Sequence, residues 1–197
     1  ASEGSFGPDP ALPFLPLATE HVAFVDLASG RALIETIAGH ETNHAHLDPG
    51  GDIDAFLARA GFPEHAVLAR SLATGAFETG LAGRAALDAA IARLGGPAEV
   101  RLETDMRAHL HPTRMAMIAR AADRLAARLA TPCPACGAPG FGRVGAVRGL
   151  PCADCGTPTG LARAELLACD VCGHGEERPR ADGRGAADPG ECPVCNP

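Results

Sequence analysis

The chain has no lysine, no tyrosine and no tryptophan, so arginine supplies all seventeen of its basic side chains. That bias reads as GC-rich coding and carries no function by itself. Positive charge is also short. A net charge of -7 argues against a surface built throughout to neutralise phosphate backbones, which normally needs a clear positive excess. No uninterrupted run of about 18 apolar residues occurs, so the sequence offers no membrane span. The start, "ASEGSFGPDP", lacks the basic, apolar and small-residue order of a secretory signal. A soluble, cytoplasmic protein is expected. The start also lacks a Met and reads like the middle of a site loop, so a fragment or processed product is expected.

What is present suffices for a core: 46% of the 197 residues are hydrophobic and 21% charged, enough for one substantial domain and a small appendage. "HVAFVDL" and "RALIETI", His21 to Leu27 and Arg31 to Ile37, flank "ASG" and predict a hairpin. Ile53, Phe56, Leu57 and Ala60 fall at helical spacing, with Gly61 as the stop. "HAVLARS" is a strand candidate. Ala86, Leu87, Ala90, Ile91 and Leu94 share one helical face before Gly95 and Gly96. "AEVRLETDM" predicts a strand, and Pro112 to about Ala130 the longest helix, packing through Met115, Ile118, Ala122, Leu125 and Leu129. The fold class is α/β, a helix-covered mixed sheet over residues 1–130. A crossover helix between the last two strands predicts a parallel pair.

From Thr131 the composition turns to Cys, Pro and Gly, too poor in large apolar residues to fold unaided. All eight cysteines lie here, as four C-x-x-C pairs: Cys133 and Cys136, Cys152 and Cys155, Cys169 and Cys172, Cys192 and Cys195. Two thiolates three positions apart on a tight turn can face one ion, and Gly137, Gly156 and Gly173 follow three of the pairs as zinc-knuckle turns require; Asn196 takes that place in the fourth. Two closed structural Zn2+ sites are expected over residues 131–197. Sequential pairing, giving tandem zinc ribbons, is preferred over interleaved pairing. Disulfides and rubredoxin-like iron are the alternatives, and His174 is expected in a solvated loop rather than as a ligand.

"HETNH", His40 to His44, satisfies the zinc-protease pattern H-E-x-x-H. Gly39 before it, Thr42 and Asn43 within it, and Pro49-Gly50-Gly51 after it suit a loop better than a helix, so metalloprotease is the lesser reading. The densest charge lies in "RLETDMRAHLHPTRM", Arg101 to Met115. On a strand, Glu103, Asp105, Arg107 and His109 would share a face whose end meets the helix N-terminus, with His111 or Thr113 as its cap. Arg107 and Arg114 would then bind an anion, Glu103 and Asp105 would hold a divalent ion such as Mg2+ or act as base, and His109 would carry protons. The bland alternative is acids and arginines pairing with one another. Arg120, Arg124 and Arg128 form a stripe that reads as a solvated face, with phosphate tracking as the lesser reading.

"ASEGSFGP", "GFPEHA", "ETDMRAH", "PTRM" and the "CPAC...PGFG...GLPCADCG.PT...CDVCG...ADPGECPVCNP" pattern together resemble a bacterial family, one of the domains of unknown function. The resemblance runs end to end and implies a zinc-ribbon tail, and family members carry a further N-terminal segment. "SEGSFG" is also faintly similar to the acidic Gly-rich loop of house-cleaning nucleoside triphosphatases, which would add Glu3 and Ser5 to the anion site. The expected function is metal-assisted hydrolysis of a small anionic, phosphate-containing ligand. The competing class is a non-enzymatic zinc adaptor for protein or, less favoured, nucleic acid.

Overall fold

A computed structural model describes residues 1–10 and 12–197. The chain forms two compact units, 1–125 and 126–197, against the break at 130 expected from composition.

In the first unit, β1 (Ser2–Pro8), β2 (Pro16–Val25) and β3 (Ala32–Gly39) make an antiparallel sheet in that order. The expected hairpin is present as β2–β3. Its turn is held by Asp26, which accepts hydrogen bonds from the Ala28 amide and the Ser29 hydroxyl. The opening "SEGSFGP" is therefore a strand and not a loop, because it pairs along its whole length with β2.

The second sheet has the order β4-β7-β5-β6, from β4 (His46–Leu47), β5 (Val67–Ser71), β6 (Phe77–Leu81) and β7 (Val100–Thr104). Helix α1 (Ile53–Ala60) starts at Asp52, whose carboxylate accepts from the Ala55 amide. It ends at Gly61, where φ of 76° suits glycine alone without strain. Helix α2 (Arg84–Arg93) follows β6. Phe56, Leu57 and Ala60 of α1 and Leu87, Ala90 and Ile91 of α2 share one apolar cluster with Val67, Ala69, Leu81, Val100 and Leu102 of the sheet. Ala86, expected on the same face of α2, is exposed.

The expected parallel pair is not formed: β5 and β7 are antiparallel. The reason is β6, whose "FETGL" carries a glycine and two polar residues among five and does not stand out as a strand in the sequence. It reverses the chain immediately after β5, so α2 leads into a strand running against β5.

Helix α3 (Pro112–Leu129) buries Met117, Ala121 and Leu125, while Met115 and Ala122 of the expected stripe are exposed. The inner face is Arg114, Met117, Ala121 and Leu125, at 3-4-4 spacing. An inward-facing arginine rotates the helix away from the purely apolar solution. Met117 and Ala121 pack with Ala18 and Ile37 of the first sheet.

The second unit is a three-stranded antiparallel meander, β8 (Gly142–Arg148), β9 (Ala162–Ala168) and β10 (Gly175–Pro179), with β9 central. Among the described residues, no helix is long and apolar enough to cross a membrane.

Candidate metal centres and a buried charge cluster

The meander fixes which cysteines meet. One knuckle precedes β8 and the third joins β9 to β10, so both lie at one end of the sheet; the second joins β8 to β9 at the other end, to which β10 returns the chain. The two sets are accordingly Cys133, Cys136, Cys169 and Cys172, and Cys152, Cys155, Cys192 and Cys195. The pairing is interleaved, which corrects the sequential, tandem-ribbon expectation. The sequence did hold the signal: three consecutive antiparallel strands bring alternate connections to the same end.

The knuckles repeat one local structure. In the first, the Cys133 amide donates to the Ala138 carbonyl and the Gly137 amide to the Cys133 carbonyl; Cys152 with Gly156 and Cys169 with Gly173 do the same. Each of these glycines sits at φ between 70° and 76°, a conformation a β-carbon would strain.

Within the first set, the Cys133 Sγ lies 3.7 Å from Cys172 and the Cys136 Sγ 3.8 Å from Cys169. In the second, Cys152 to Cys195 is 3.8 Å and Cys155 to Cys192 is 3.6 Å. A tetrahedron built on Zn–S bonds of about 2.3 Å has edges of about 3.8 Å. A disulfide needs about 2.0 Å, and all eight cysteines are free. Both sets can hold a metal ion, and four protein sulfurs leave no coordination position open to a substrate.

Crowding drives the sulfur acidities apart. The Cys155 thiol falls to about 6, first through its hydrogen bond with the Thr157 hydroxyl. Cys195 is pushed up to about 12, first by its hydrogen bond with Cys155. Four such thiols do not all ionise at neutral pH unaided; a divalent cation supplies the opposing charge. Binding therefore releases protons and weakens as pH falls. His174 stays outside both sets. It pairs with Glu176 at 3.2 Å and leans on Phe141.

The residues expected to form an active site in the first unit are placed differently. β7 ends at Thr104, and the alternation expected to continue through Arg107 stops there because Asp105 turns inward and is buried. Asp105 accepts from the Gly80 amide at 2.9 Å and from the Arg107 guanidinium at 2.7 and 3.0 Å. Burial opposes its charge, but those donors prevail and hold its carboxyl below the usual range. Glu103 remains on β7, 3.8 Å from Arg70. His109 is exposed on the 3-10 turn Ala108–Leu110.

Arg114 takes a different carboxylate. Its Nε donates to Glu20 Oε1 at 2.5 Å, its second nitrogen to Glu20 Oε2 at 3.0 Å and its third to the Met106 carbonyl. Glu20 is 0% and Arg114 13% exposed. Each of the two arginines expected at an anion site is thus held by its own carboxylate, Arg107 by Asp105 and Arg114 by Glu20. For the expected Mg2+, the described residues offer no group of three or more His, Cys, Asp or Glu ligand atoms close enough to share an ion outside the two cysteine sets. Glu3 and Ser5 are exposed on β1, alternating with Gly4 and Phe6, which face Arg114. Of the arginine stripe, Arg120 pairs with Glu41 and Arg128 donates to the Gly140 carbonyl.

"HETNH" is a loop after β3 and not a helix, and it serves the same cluster. Asn43 donates to the Ala60 carbonyl at 2.5 Å, and its Oδ1 accepts from His111 Nε2. His111 Nδ1 accepts from the Arg114 amide at 3.2 Å, so this ring caps α3. Beside it, His65 meets His111 edge-on at 4.6 Å and bonds the Thr113 hydroxyl at 2.9 Å. No buried side-chain polar atom among the described residues lacks a partner.

Burial, followed by the neighbouring charges of His65 and Arg114, lowers the His111 pKa to about 4. The unfolded chain, with a pKa of about 6.5, binds the proton more readily. The stabilisation is thus full above about pH 6.5 and lost as pH falls toward 4, amounting to at most about 3 kcal/mol. Urea titrations at stepped pH should show wild type losing stability across this window more steeply than His111→Gln; equal slopes would remove His111 as the titrating group.

Over residues 1–197 the chain matches the family described as Domain of unknown function (DUF6671). Comparison with curated proteins and with solved structures finds no match.

Proposed function

The chain belongs to this domain-of-unknown-function family along its whole length, and from that premise we propose a zinc-binding adaptor, in which two Zn2+ ions hold the shape of a C-terminal protein-docking module. The observation that carries this reading is the sulfur geometry: two all-cysteine sets spaced as tetrahedral Zn2+ requires, each closed to substrate. The ions are structural cross-links and not Lewis acids.

Electrostatics favour a protein over a nucleic acid as the docked partner. Seven arginines face eight carboxylates between residues 126 and 197, and each tetrathiolate zinc centre adds two negative charges. Such a surface repels phosphate. Val144, Leu166, Val171 and Val194 of this unit are exposed, two of them at knuckle tips, and supply apolar contact area. The hydrolytic reading at Glu103, Asp105, Arg107, His109 and Arg114 loses its support with the internal pairing of the arginines.

Metal analysis of the purified protein should give two zinc ions per chain, with no salt-dependent retention on DNA or RNA. One ion, none, or a red iron-loaded protein would overturn the zinc assignment. A third tightly held ion would revive catalytic metal at the first unit.

A further inference from the structure

Beside the buried cluster, the first unit holds a cavity of about 340 Å³, lined chiefly by Phe6, Phe14, Pro16, Leu17, Thr42 and His44. That volume is within the range of small-ligand sites. Its walls come from three separate parts of the chain, residues 6–8, 13–17 and 42–44. Phe6 lies beneath the Arg114 guanidinium, 5.1 Å from ring centre to carbon. Arg114 is itself clamped by Glu20, and Gly4 has no room for a β-carbon because both Glu20 oxygens would lie 2.6 Å from it. The His44 ring runs nearly parallel to Phe6, at 12° and 6.2 Å between centroids, and the His44 amide is anchored to the Thr42 hydroxyl.

The result is a preorganised wall of two rings, Phe6 and His44, with a third, Phe14, standing 79% exposed. An exposed aromatic beside an aromatic-walled cavity is a ready face for stacking. His44 is exposed at the edge, and its ring nitrogens have no hydrogen-bond partner among the described residues. No arginine and no carboxylate is among the residues that line the cavity.

We propose that this cavity binds a small uncharged heteroaromatic ring, of the kind a nucleobase presents, stacked on the aromatic rings that line it, Phe6, Phe14 and His44. Stacking supplies the affinity, and the His44 ring nitrogens hydrogen-bond the polar edge of the ligand. An attached phosphate gains nothing from Arg114, the guanidinium over Phe6, because Glu20 already neutralises it. This site is separate from the zinc module and stands or falls without it.

Adenosine is the probe, with AMP as its charged counterpart, each followed by equilibrium dialysis against the intact zinc-loaded protein. A chain without tryptophan or tyrosine leaves the 260 nm band of the probe nearly unobscured. Saturable adenosine binding is expected, weakened about tenfold or more by Phe14→Ala and by His44→Ala, with zinc content and thermal midpoint unchanged. AMP should bind no more tightly than adenosine. Failure of adenosine to saturate at millimolar concentration, or binding by both variants as tight as by wild type, would overturn the site. Tighter binding of AMP would overturn the uncharged ligand class.

Discussion

Replacing Cys133 and Cys169 together by serine should leave one zinc ion per chain, and replacing Cys133 and Cys152 together should leave none. The first pair of changes falls within one interleaved set and the second divides between both. Sequential ribbons give the opposite pattern, one ion for the second variant and none for the first, so a metal count on two proteins decides the pairing. The effect is large because a structural zinc site contributes on the order of 10–16 kcal/mol of binding free energy in small zinc domains, most of it realised as folding. The two losses should also differ in extent. Cys133 and Cys169 are buried with Phe141 and Leu167 in one apolar cluster, so losing that ion exposes the only sizeable core of the unit among its described residues. Between residues 180 and 197 the buried apolar positions are Ala187 and Cys192 alone. Removing the second ion through Cys155 and Cys192 should therefore release that segment to proteases while β8, β9 and β10 stay protected from hydrogen exchange.

Local patterns are legible in the sequence where one element satisfies itself. The β2–β3 hairpin, α1 with its Gly61 stop, and the C-x-x-C knuckles each follow from residues a few positions apart. Partner choice between distant segments was less legible. Asp105, Arg107 and Arg114 lie close together in "ETDMRAHLHPTRM", yet Arg114 pairs with Glu20, 94 residues earlier in the chain. Nothing in the local spacing shows that. The signal available was the type of residue: an acid at Glu20, inside an otherwise apolar-facing strand register with Ala18 and Val22, is buried only with a cation opposite it. The same buried pair explains why the apolar stripe of α3 was misplaced, since its inner face includes an arginine that a hydrophobic pattern excludes. His111 as helix cap was legible, because Pro112 marks the first helical turn.

Arg114→Met alone, or Glu20→Leu alone, should destabilise the first unit by about 3–5 kcal/mol, while the double variant should lose much less than the sum. Each single change leaves one charge buried without its partner; the double change replaces an ion pair by apolar volume. Arg114→Met also removes the donor to the Met106 carbonyl and the cation over Phe6, so its loss should exceed that of Glu20→Leu. Chemical unfolding followed by circular dichroism, analysed as a double-mutant cycle, reads the coupling directly. Zinc content should remain two in all three variants, because the pair lies in the unit that holds no cysteine. An anion-binding Arg114 predicts something different: wild type would gain thermal stability from about 10 mM phosphate by mass action, and Glu20→Leu, which frees the guanidinium, would gain less or nothing beyond it. With Arg114 committed to Glu20, wild type should show no phosphate response, and a response should emerge only when the carboxylate is removed.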